Sequence, residues 1–286
     1  MLSELAPAKV NLFLHVDRVK PNGRHDLQSL VVFAGAEAAD EVFFSPGSAL
    51  SLRLTGEVED LVADCDDNLV LQAARGLLKA SDNPGTGQFV LRKDLPVAAG
   101  IGGGSADAAA ALRLLLHAFE IDPAVADALA PSLGGDVPVA LRSSAANMLG
   151  EGERVSAVTL PAPIPAVLVN PRIPCPTGPI FAAYDAAGGG EAFAPVVIPE
   201  FASVGDCIEW CATQRNDLEL AATRLVPEIS EVLQELGSLE GVGLARMSGS
   251  GATCFALFET QKEAQGAQAR LKSAHPDWWI RCTHLS

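Results

Sequence analysis

The sequence predicts an α+β protein of two domains, and three observations support this fold class. Strand-like and helix-like apolar patterns are mixed along both halves of the 286-residue chain. A proline-rich crossing separates the halves, and the strands of the second half are typical of an antiparallel sheet with helices on one face. A chain of this length can bury roughly 75% of its unfolded surface, so it supports a sizeable core.

The first half opens with a strand pattern. Apolar residues alternate with others over 7–16, so Lys9 and Asn11 are expected to project from one face. The Asn22-Gly23 pair predicts a hairpin turn that leads into the next strand. The other elements predicted for this half are strands at 30–33, 41–44, 50–54 and 88–91, and helices at 68–80, 105–119 and 124–132.

The second half follows the crossing at 160–165, where every second residue is proline. We place the boundary just before this crossing, with domains at 1–155 and 156–286. A buried strand is predicted at 166–170, directly after the crossing. The remaining predicted elements are helices at 207–214, 217–225, 227–236 and 262–273, strands at 244–247 and 253–258, and a glycine turn at 248–251.

Composition excludes several classes of protein. The net charge of −15 and the lack of a basic run exclude a nucleic-acid-binding surface. No apolar run reaches the ~18 residues of a membrane span, and the N-terminus does not read as a signal peptide. We therefore expect no membrane partner. The six cysteines have no zinc-site spacing, so we expect buried or idle thiols in the reducing cytoplasm. The sequence leaves the oligomeric state open.

The most informative stretch is a glycine cluster that leads straight into an alanine-rich helix. Four of the five residues at 100–104 are glycine, so the backbone can approach a ligand closely. The first N–H groups of the helix and its dipole suit a polyphosphate. No Lys follows Gly104, which excludes a Walker A loop, and Ser105 stands where a dinucleotide fingerprint needs its third glycine. Helix packing alone is the alternative explanation.

Separated motifs together resemble the GHMP kinase superfamily. The N-terminal Pro7-Ala-Lys9-Val-Asn11-Leu, the glycine loop from Pro96 and the turn Met247-Ser-Gly-Ser-Gly251-Ala are similar to its three motifs. One branch of that superfamily phosphorylates a cytidine-diphosphate-linked methylerythritol, and its segments are also matched in order. These are Asn22-Gly-Arg-His-Asp-Leu27, Leu133-Gly-Gly-Asp-Val-Pro138 and Pro176-Thr-Gly-Pro-Ile-Phe181.

The resemblance implies a two-domain GHMP kinase fold. Its N-terminal ATP-binding domain would be ribosomal-protein-S5-domain-2-like, and its C-terminal domain would be a ferredoxin-like α+β domain. It also implies a cytoplasmic small-molecule kinase that transfers the γ-phosphate of ATP to the substrate 2-hydroxyl, with Mg²⁺, in non-mevalonate isoprenoid precursor synthesis. Phosphoryl transfer of this kind requires positioning, charge neutralisation and a group that orients or deprotonates the hydroxyl.

The resemblance also implies roles for individual residues toward ATP. Asp136 would be the catalytic base, with Lys9 as its partner in contact with phosphate, although an aspartate satisfying a turn is the alternative for Asp136. Asp107 would hold the loop. Asn68 and Lys93 would lie near the adenosine, with a helix N-cap and a surface charge as the respective alternatives. The loop residues expected to bind ATP are Pro96, Ala98, Ala99, Gly100, Ile101, Gly102, Gly103, Gly104 and Ser105, and Ser105 is also a possible Mg²⁺ ligand.

Toward the substrate, the resemblance implies that His25 reads the cytosine and Phe181 stacks on it. Arg24 stands where the branch often has Tyr, and a planar guanidinium can also stack on a base. Asn11, Thr177 and Asp136 complete the expected substrate contacts. Two alternatives stay open at this point. Another GHMP kinase, acting on mevalonate or homoserine, would share the glycine loops, and a nucleotide sensor on the same fold would not be catalytic.

Overall fold

The computed structural model describes residues 1–56, 68–190 and 193–286. These residues form two compact units that are interleaved along the chain. Unit 1 contains Met1–Lys9, Ala38–Val97 and Gly102–Ser143, and unit 2 contains Val10–Glu37, Ala98–Ile101 and Ser144–Ser286. The division of the sequence at 155/156 into two domains stays a prediction.

Strands and helices alternate along the described part of the chain. The strands are β1 (Leu2–Pro7), β2 (Lys9–Asn11), β3 (His15–Val19), β4 (His25–Phe33), β5 (Ala39–Pro46), β6 (Ser51–Gly56), β7 (Gly87–Lys93), β8 (Ala146–Gly150), β9 (Arg154–Ala157), β10 (Ile164–Asn170), β11 (Leu244–Met247), β12 (Cys254–Leu257) and β13 (Trp279–Leu285). The helices are α1 (Leu69–Ala80), α2 (Gly103–Phe119), α3 (Pro123–Leu133), α4 (Val137–Arg142), α5 (Thr177–Ala186), α6 (Val204–Ala212), α7 (Glu219–Leu225), α8 (Glu228–Gly237) and α9 (Gln261–Ala274).

Unit 1 is a four-stranded sheet with strand order β1-β5-β7-β6. Its neighbours pair antiparallel except β6 and β7, which are parallel. The helix α2 lies against β1, β5, α1 and α4. Most of the residues that α2 buries are alanines, and small side chains let the helix backbone approach its neighbours closely while alanine keeps the helix favourable. This close packing fixes the start of α2.

Unit 2 contains two sheets. In the first, β2, β4, β8 and β9 are neighbours in that order and β3 also pairs with β4. In the second the order is β11-β12-β10-β13, and every pair is antiparallel. The helices α8 and α9 lie against this second sheet. Residues 33–35 are tied to the last strand, because Phe33 N donates to the Ser286 carbonyl and Gly35 N to that of His284.

The predicted elements of both halves are present, with bounds shifted by a few residues. The structure adds elements that the patterns did not indicate, among them α4, α5 and β13. The strand predicted at 7–16 is interrupted, because β2 ends at Asn11 and β3 begins at His15. Both faces of this segment are buried, including Lys9 and Asn11. The alternation therefore does not separate a core face from a solvent face.

Two further features of the described residues are the state of the cysteines and the character of the helices. The five cysteines of the described residues are buried free thiols, and Cys65 lies outside the described residues. Among residues 1–56, 68–190 and 193–286, no helix combines the length and the apolar character needed to cross a membrane.

One buried side chain makes stability depend on pH. His15 is 2% exposed, lies between the Phe13 and Phe193 rings, and its Nε2 has no hydrogen-bond partner among the described residues. Burial lowers the pKa of His15, Arg215 adds to this effect, and Asp217 opposes it. The folded protein therefore keeps His15 neutral at a pH where the unfolded chain takes up a proton.

We predict that this histidine weakens the fold in mild acid. Because its folded pKa is depressed, stability is complete above the unfolded pKa of about 6.5 and falls below it, by at most about 1.4 kcal/mol per pH unit. Urea unfolding between about pH 7.5 and 5 should show a smaller loss in His15→Leu than in wild type. Equal losses in the two proteins would show that the folded state protonates His15 as readily as the unfolded chain.

Candidate functional site

The helix α2 begins without a side-chain cap. Its N-cap residue is Gly102, in the left-handed conformation with φ of 64° and no capping side chain. In contrast, four other helices have N-cap residues whose side chains accept backbone N–H groups. These are Asn68 before α1, Asp122 before α3, Ser203 before α6 and Thr260 before α9. The backbone of Gly103, Gly104 and Ser105 thus presents donors at the positive end of the helix dipole. Such a terminus suits an anion.

An ion pair lies next to this terminus within unit 1. Lys9 Nζ is 2.9 Å from Asp136 Oδ2, and the two side chains are 8% and 32% exposed. A Cβ placed on Gly102 would lie 3.4 Å from both side chains, so the pair is directly beside the start of α2. The structure therefore brings together Lys9, Asp136 and the second half of the glycine loop, as the sequence predicts.

Asp136 does not have the alternative role of a turn aspartate. It occupies the N-cap position of α4, but its side chain makes no capping hydrogen bond. Its carboxylate faces Lys9 instead. The preceding turn also reaches the glycine loop, because a Cβ on Gly134 would be 3.8 Å from Ser105 Oγ. One turn of chain at 134–136 thus contacts two of the predicted functional side chains.

Lys93 is buried rather than a surface charge, so that alternative is wrong. Its side chain is 7% exposed, and its ammonium pairs with Asp40 and, at 2.8 Å, with Asp107. We call these three residues the buried charge cluster. Burial disfavours the charged lysine, but Asp107 and Asp40 outweigh it, so the pKa of Lys93 lies above its ordinary value. Burial raises the pKa of Asp107, while Lys93 opposes the rise.

Asp40 and Asp107 differ in how well the sequence reveals them. Asp107 is predicted to hold the loop, and its pairing with Lys93 fits that role. Asp40 is missed, since a single acidic residue before a strand pattern gives no sign of burial.

Asn68 caps α1 by accepting Val70 N at 2.9 Å, which is the alternative role that the sequence allows. Its contact with adenosine stays a prediction.

The first half of the glycine loop belongs to unit 2, together with the second glycine turn. Ala98 and Gly100 have positive φ values of 50° and 73°. Ala99 O accepts from Thr253 N at 3.1 Å, and Gly100 O accepts from Ser248 Oγ at 3.1 Å. Ile101 is buried, whereas Pro96, which belongs to unit 1, is partly exposed. The positions that reach the second turn are thus structural as well as candidates for ATP contact.

The second glycine turn is held by residues that sequence reasoning missed. Asn216 Nδ2 donates to the carbonyls of Met247 and Gly249, at 2.9 and 2.8 Å. Glu219 Oε2 accepts Met247 N at 2.9 Å. Asn216 lies in the turn before α7, three residues ahead of Glu219, which is the first residue of that helix. The sequence shows these two residues, but it does not show that their side chains bind the backbone of the second glycine turn.

Two predicted substrate residues, His25 and Phe181, lie next to each other in unit 2. The rings of His25 and Phe181 are 4.9 Å apart, so these two are brought together. His25 Nε2 is 2.8 Å from Asp185 Oδ1. Because a carboxylate only accepts, Nε2 carries a proton, and in the neutral ring Nδ1 is then the acceptor. Asp185 follows Phe181 by one helical turn on α5, and it was missed because that helix was not predicted.

Arg24 is engaged by a carboxylate. It lies 71% exposed in the hairpin turn, with its Nη1 2.9 Å from Glu151 Oε2. Lys20 Nζ is 2.8 Å from the other oxygen of Glu151, and Asn22 donates to that oxygen as well. Hydrogen bonds from Lys20, Asn22 and Arg24 lower the pKa of Glu151 to about 2. The stacking of Arg24 on a base stays a prediction.

The last two predicted substrate residues contact the second glycine turn. Asn11 Nδ2 donates to Ser29 Oγ at 2.7 Å, and its buried Oδ1 has no partner among the described residues. A Cβ on Gly249 would lie 3.3 Å from that oxygen. Thr177 Oγ1 is 2.9 Å from Ser250 Oγ. Asn11 and Thr177 thus reach the same turn, at 249–250.

We predict opposite effects for two glycines of the loop. A Cβ on Gly100 would lie 2.5 Å from Ser248 O and 2.7 Å from Gly251 N, at positive φ, so Gly100→Ala should cost about 2 kcal/mol or more. Gly104 is exposed, and its Cβ would meet only Leu69 Cδ1 at 3.5 Å. Gly104→Ala should therefore leave stability unchanged or raise it by up to about 1 kcal/mol. Denaturant unfolding checks both, and an undiminished stability of Gly100→Ala would contradict the close approach.

No group of three or more His, Cys, Asp and Glu side chains that could hold a metal ion occurs in the described parts of the chain. Carboxylates of the buried charge cluster are occupied by Lys93. Asp136 and Ser105 remain the oxygen groups beside the start of α2 that suit Mg²⁺ chemically.

Comparisons with known proteins agree with this geometry. Residues 68–144 match the family described as "GHMP kinases N terminal domain", and residues 197–277 match "GHMP kinases C terminal". A protein of Hyphomonas neptunium named 4-diphosphocytidyl-2-C-methyl-D-erythritol kinase is 54% identical, over 99% of this chain and 96% of its own length. A protein of the same name from Methylobacterium radiotolerans is 47% identical, over 100% of this chain and 99% of its own.

Solved structures agree as well. The crystal structure of a 4-(cytidine 5'-diphospho)-2C-methyl-D-erythritol kinase superposes with a TM-score of 0.78 at 32% identity, covering 100% of this chain and 99% of that one. A homoserine kinase from Cytophaga hutchinsonii, at 17% identity, shares the fold with a TM-score of 0.66, covering 99% of this chain and 95% of that one. These likenesses confirm the α+β GHMP kinase fold. From the two domain matches and the full-length relatives we conclude that the chain belongs to the GHMP kinase family, among the 4-diphosphocytidyl-2-C-methyl-D-erythritol kinases.

Proposed function

We propose that this protein transfers the γ-phosphate of ATP to the 2-hydroxyl of 4-diphosphocytidyl-2-C-methyl-D-erythritol, a step of non-mevalonate isoprenoid precursor synthesis. The observation that carries the proposal is the Lys9–Asp136 pair beside the uncapped start of α2. The full-length relatives of that name support the choice of substrate. The five cysteines of the described residues are buried free thiols, which fits a reducing compartment, the cytoplasm.

The start of α2 provides the phosphate site. The N–H groups of Gly103, Gly104 and Ser105 would donate to the β- and γ-phosphates, and the dipole would favour their charge. Lys9 would approach the transferred phosphoryl group, because its ammonium is held beside Gly102 by Asp136. Pro96, Ala98, Ala99, Gly100 and Ile101 would shape the rest of the loop around the nucleotide, and Asn68 would lie near the adenosine.

Asp136 would be the general base. Its Oδ2 is held by Lys9 at 2.9 Å, so Oδ1 is the oxygen that would accept the proton of the 2-hydroxyl. The carboxylate is about one-third exposed, which lets a substrate reach it. Orientation of the hydroxyl and removal of its proton are the contributions that phosphoryl transfer asks of such a residue.

Mg²⁺ would be held by the phosphates with help from Ser105 Oγ. This arrangement suits the ion, which keeps several waters and takes one or two protein oxygens beside substrate phosphates. When bound, Mg²⁺ neutralises charge on the phosphate oxygens. The pairing of Asp107 and Asp40 with Lys93 removes those two carboxylates from consideration as ligands.

The paired rings of unit 2 favour a nucleotide-linked substrate. Phe181 would stack on the cytosine and His25 Nδ1 would accept its amino group, with Asp185 fixing the tautomer. Arg24, Asn11 and Thr177 would contact the remainder of the substrate. A kinase of mevalonate or homoserine would share the glycine loops, but it would not need this pair of rings.

We predict that a coupled ADP-release assay with ATP and Mg²⁺ will show turnover of the cytidylylated methylerythritol and background rates with mevalonate and homoserine. In the same assay Asp136→Asn should lower kcat by roughly 10²- to 10⁴-fold, because the amide keeps the shape but cannot accept the proton. ATP affinity should change little. Turnover of mevalonate instead would reject the substrate, and an Asp136→Asn rate within a few-fold of wild type would remove Asp136 from the mechanism.

We further predict that Phe181→Ala raises KM for the cytidylyl substrate about 5- to 150-fold, since stacking on an aromatic ring contributes roughly 1–3 kcal/mol. KM for ATP should stay the same. Arg24→Tyr should be tolerated, Arg24→Ala should weaken substrate binding, and Arg24→Glu should weaken it further by repelling the diphosphate. If the three Arg24 variants share one substrate KM, the guanidinium serves only Glu151 and the hairpin.

A further inference from the structure

The buried charge cluster contacts the chain where it enters the glycine loop. Asp40 Oδ1 accepts two successive backbone N–H groups, those of Asp94 at 2.6 Å and Leu95 at 2.8 Å. Its Oδ2 pairs with Lys93, the residue just before them. Asp40 is completely buried in β5. One carboxylate therefore fixes three consecutive residues at the entrance of the loop.

The same cluster contacts the chain where it leaves the loop. Lys93 Nζ donates to Asp107 Oδ2 at 2.8 Å, and Asp107 lies near the start of α2, one turn beyond Gly103. A Cβ on Gly103 would be 3.6 Å from Lys93 Nζ and 3.8 Å from Asp40 Oδ2. The cluster thus lies directly against the glycine whose N–H opens the helix, and it joins the two ends of the loop through Lys93.

The composition of the cluster argues against a role in stability alone. Two carboxylates share one ammonium in the core of unit 1, and Asp107 Oδ1 is buried with no hydrogen-bond partner among the described residues. Burying charge is costly, and a well-packed apolar group of similar volume is often as stabilising or more so. Such a group could not accept two backbone N–H groups and a lysine at once. The cluster therefore contributes geometry that packing cannot supply.

We propose that Asp40, Lys93 and Asp107 are positioning residues for ATP: they hold residues 94–95 and the first turn of α2 in one arrangement, so that the N–H groups of Gly103, Gly104 and Ser105 face the triphosphate. The inference rests on the proposed function of α2 as the phosphate site. In this role the three side chains act through the loop and need not touch the nucleotide. Lys93 acts on the loop from within the core, which gives this lysine a role other than direct contact with adenosine.

The first test compares two substitutions of Asp107. Asp107→Ala cuts the link between the ends of the loop but leaves a neutral Lys93–Asp40 pair, and alanine suits this alanine-rich helix, so the variant should fold. We expect its KM for ATP, and its Kd for ATP by calorimetry, to rise on the order of tenfold while KM for the cytidylyl substrate stays within twofold. Asp107→Asn keeps an oxygen for Lys93 and should restore ATP affinity to within about threefold of wild type.

The second test breaks the other end. Asp40→Ala removes the acceptor of Asp94 N and Leu95 N and should raise the Kd for ATP by a similar factor, whereas Asp40→Asn keeps an acceptor oxygen and should rescue it. The double variant Asp40→Ala/Asp107→Ala should bind ATP no more weakly than the worse single variant, because either break releases the loop. Should Asp40→Ala fail to fold, the Asp107 pair decides the matter alone.

Thr260→Ala is the matched control. Thr260 also accepts a backbone N–H at a helix start, in the capping box of α9 in unit 2, so its loss should lower Tm without changing either KM. The proposal is overturned if Asp107→Ala binds ATP within twofold of wild type, or if the two KM values rise together as Tm falls. Calorimetry with ATP needs no turnover. An inactive wild type that binds ATP would therefore refute the proposed reaction while leaving this test intact.

Discussion

A helix that binds phosphate through its N-terminus must leave its first N–H groups without a partner of their own, and unit 1 is arranged around this constraint. A serine or aspartate at the N-cap would stabilise α2 by about 1 kcal/mol but would compete with the ligand for those donors. The chain has Gly102 there instead, in a conformation that few other residues adopt. The close packing of the alanine-rich first half of α2 supplies the order that a cap would have given.

A second constraint is that an acidic protein has to accept a polyanion at this site. The net charge is −15, yet the carboxylates beside the start of α2 face lysines. Asp136 pairs with Lys9, and Asp107 pairs with Lys93. In unit 2, the carboxylate of Glu151 likewise pairs with Lys20 and Arg24. Local pairing therefore decides the electrostatics of these places more than the total charge does, because interactions between exposed charges are screened beyond roughly 10 Å.

The sequence predicts most of this fold and the centre of the site. Alternation locates β7, which has one buried face, the alanine-rich run after the glycines locates α2, and the motifs predict that Lys9 lies near Asp136. Prediction from the sequence fails where the burial of a residue depends on partners far away in the chain. Nothing local shows that Asp40 accepts the N–H groups of Asp94 and Leu95, or that Asn216 binds the turn at 247–249, because those hydrogen bonds join residues far apart in the chain. The short helix α4 was not predicted, because proline stands at its second position.

The interleaving of the units has a consequence for synthesis on the ribosome. All the segments of unit 1 have been made once residue 143 is complete. Residues 10–37 belong to unit 2, and their partners include Ser286, whose carbonyl accepts Phe33 N. At a translation rate of about 5–20 residues per second, the last residue is added roughly 7 to 30 s after unit 1 is complete, and this early segment waits at least that long for it. During that interval the apolar end of β4 and the residues just after it lack their C-terminal hydrogen-bond partners, so slow decoding of the second half would increase the demand for chaperones.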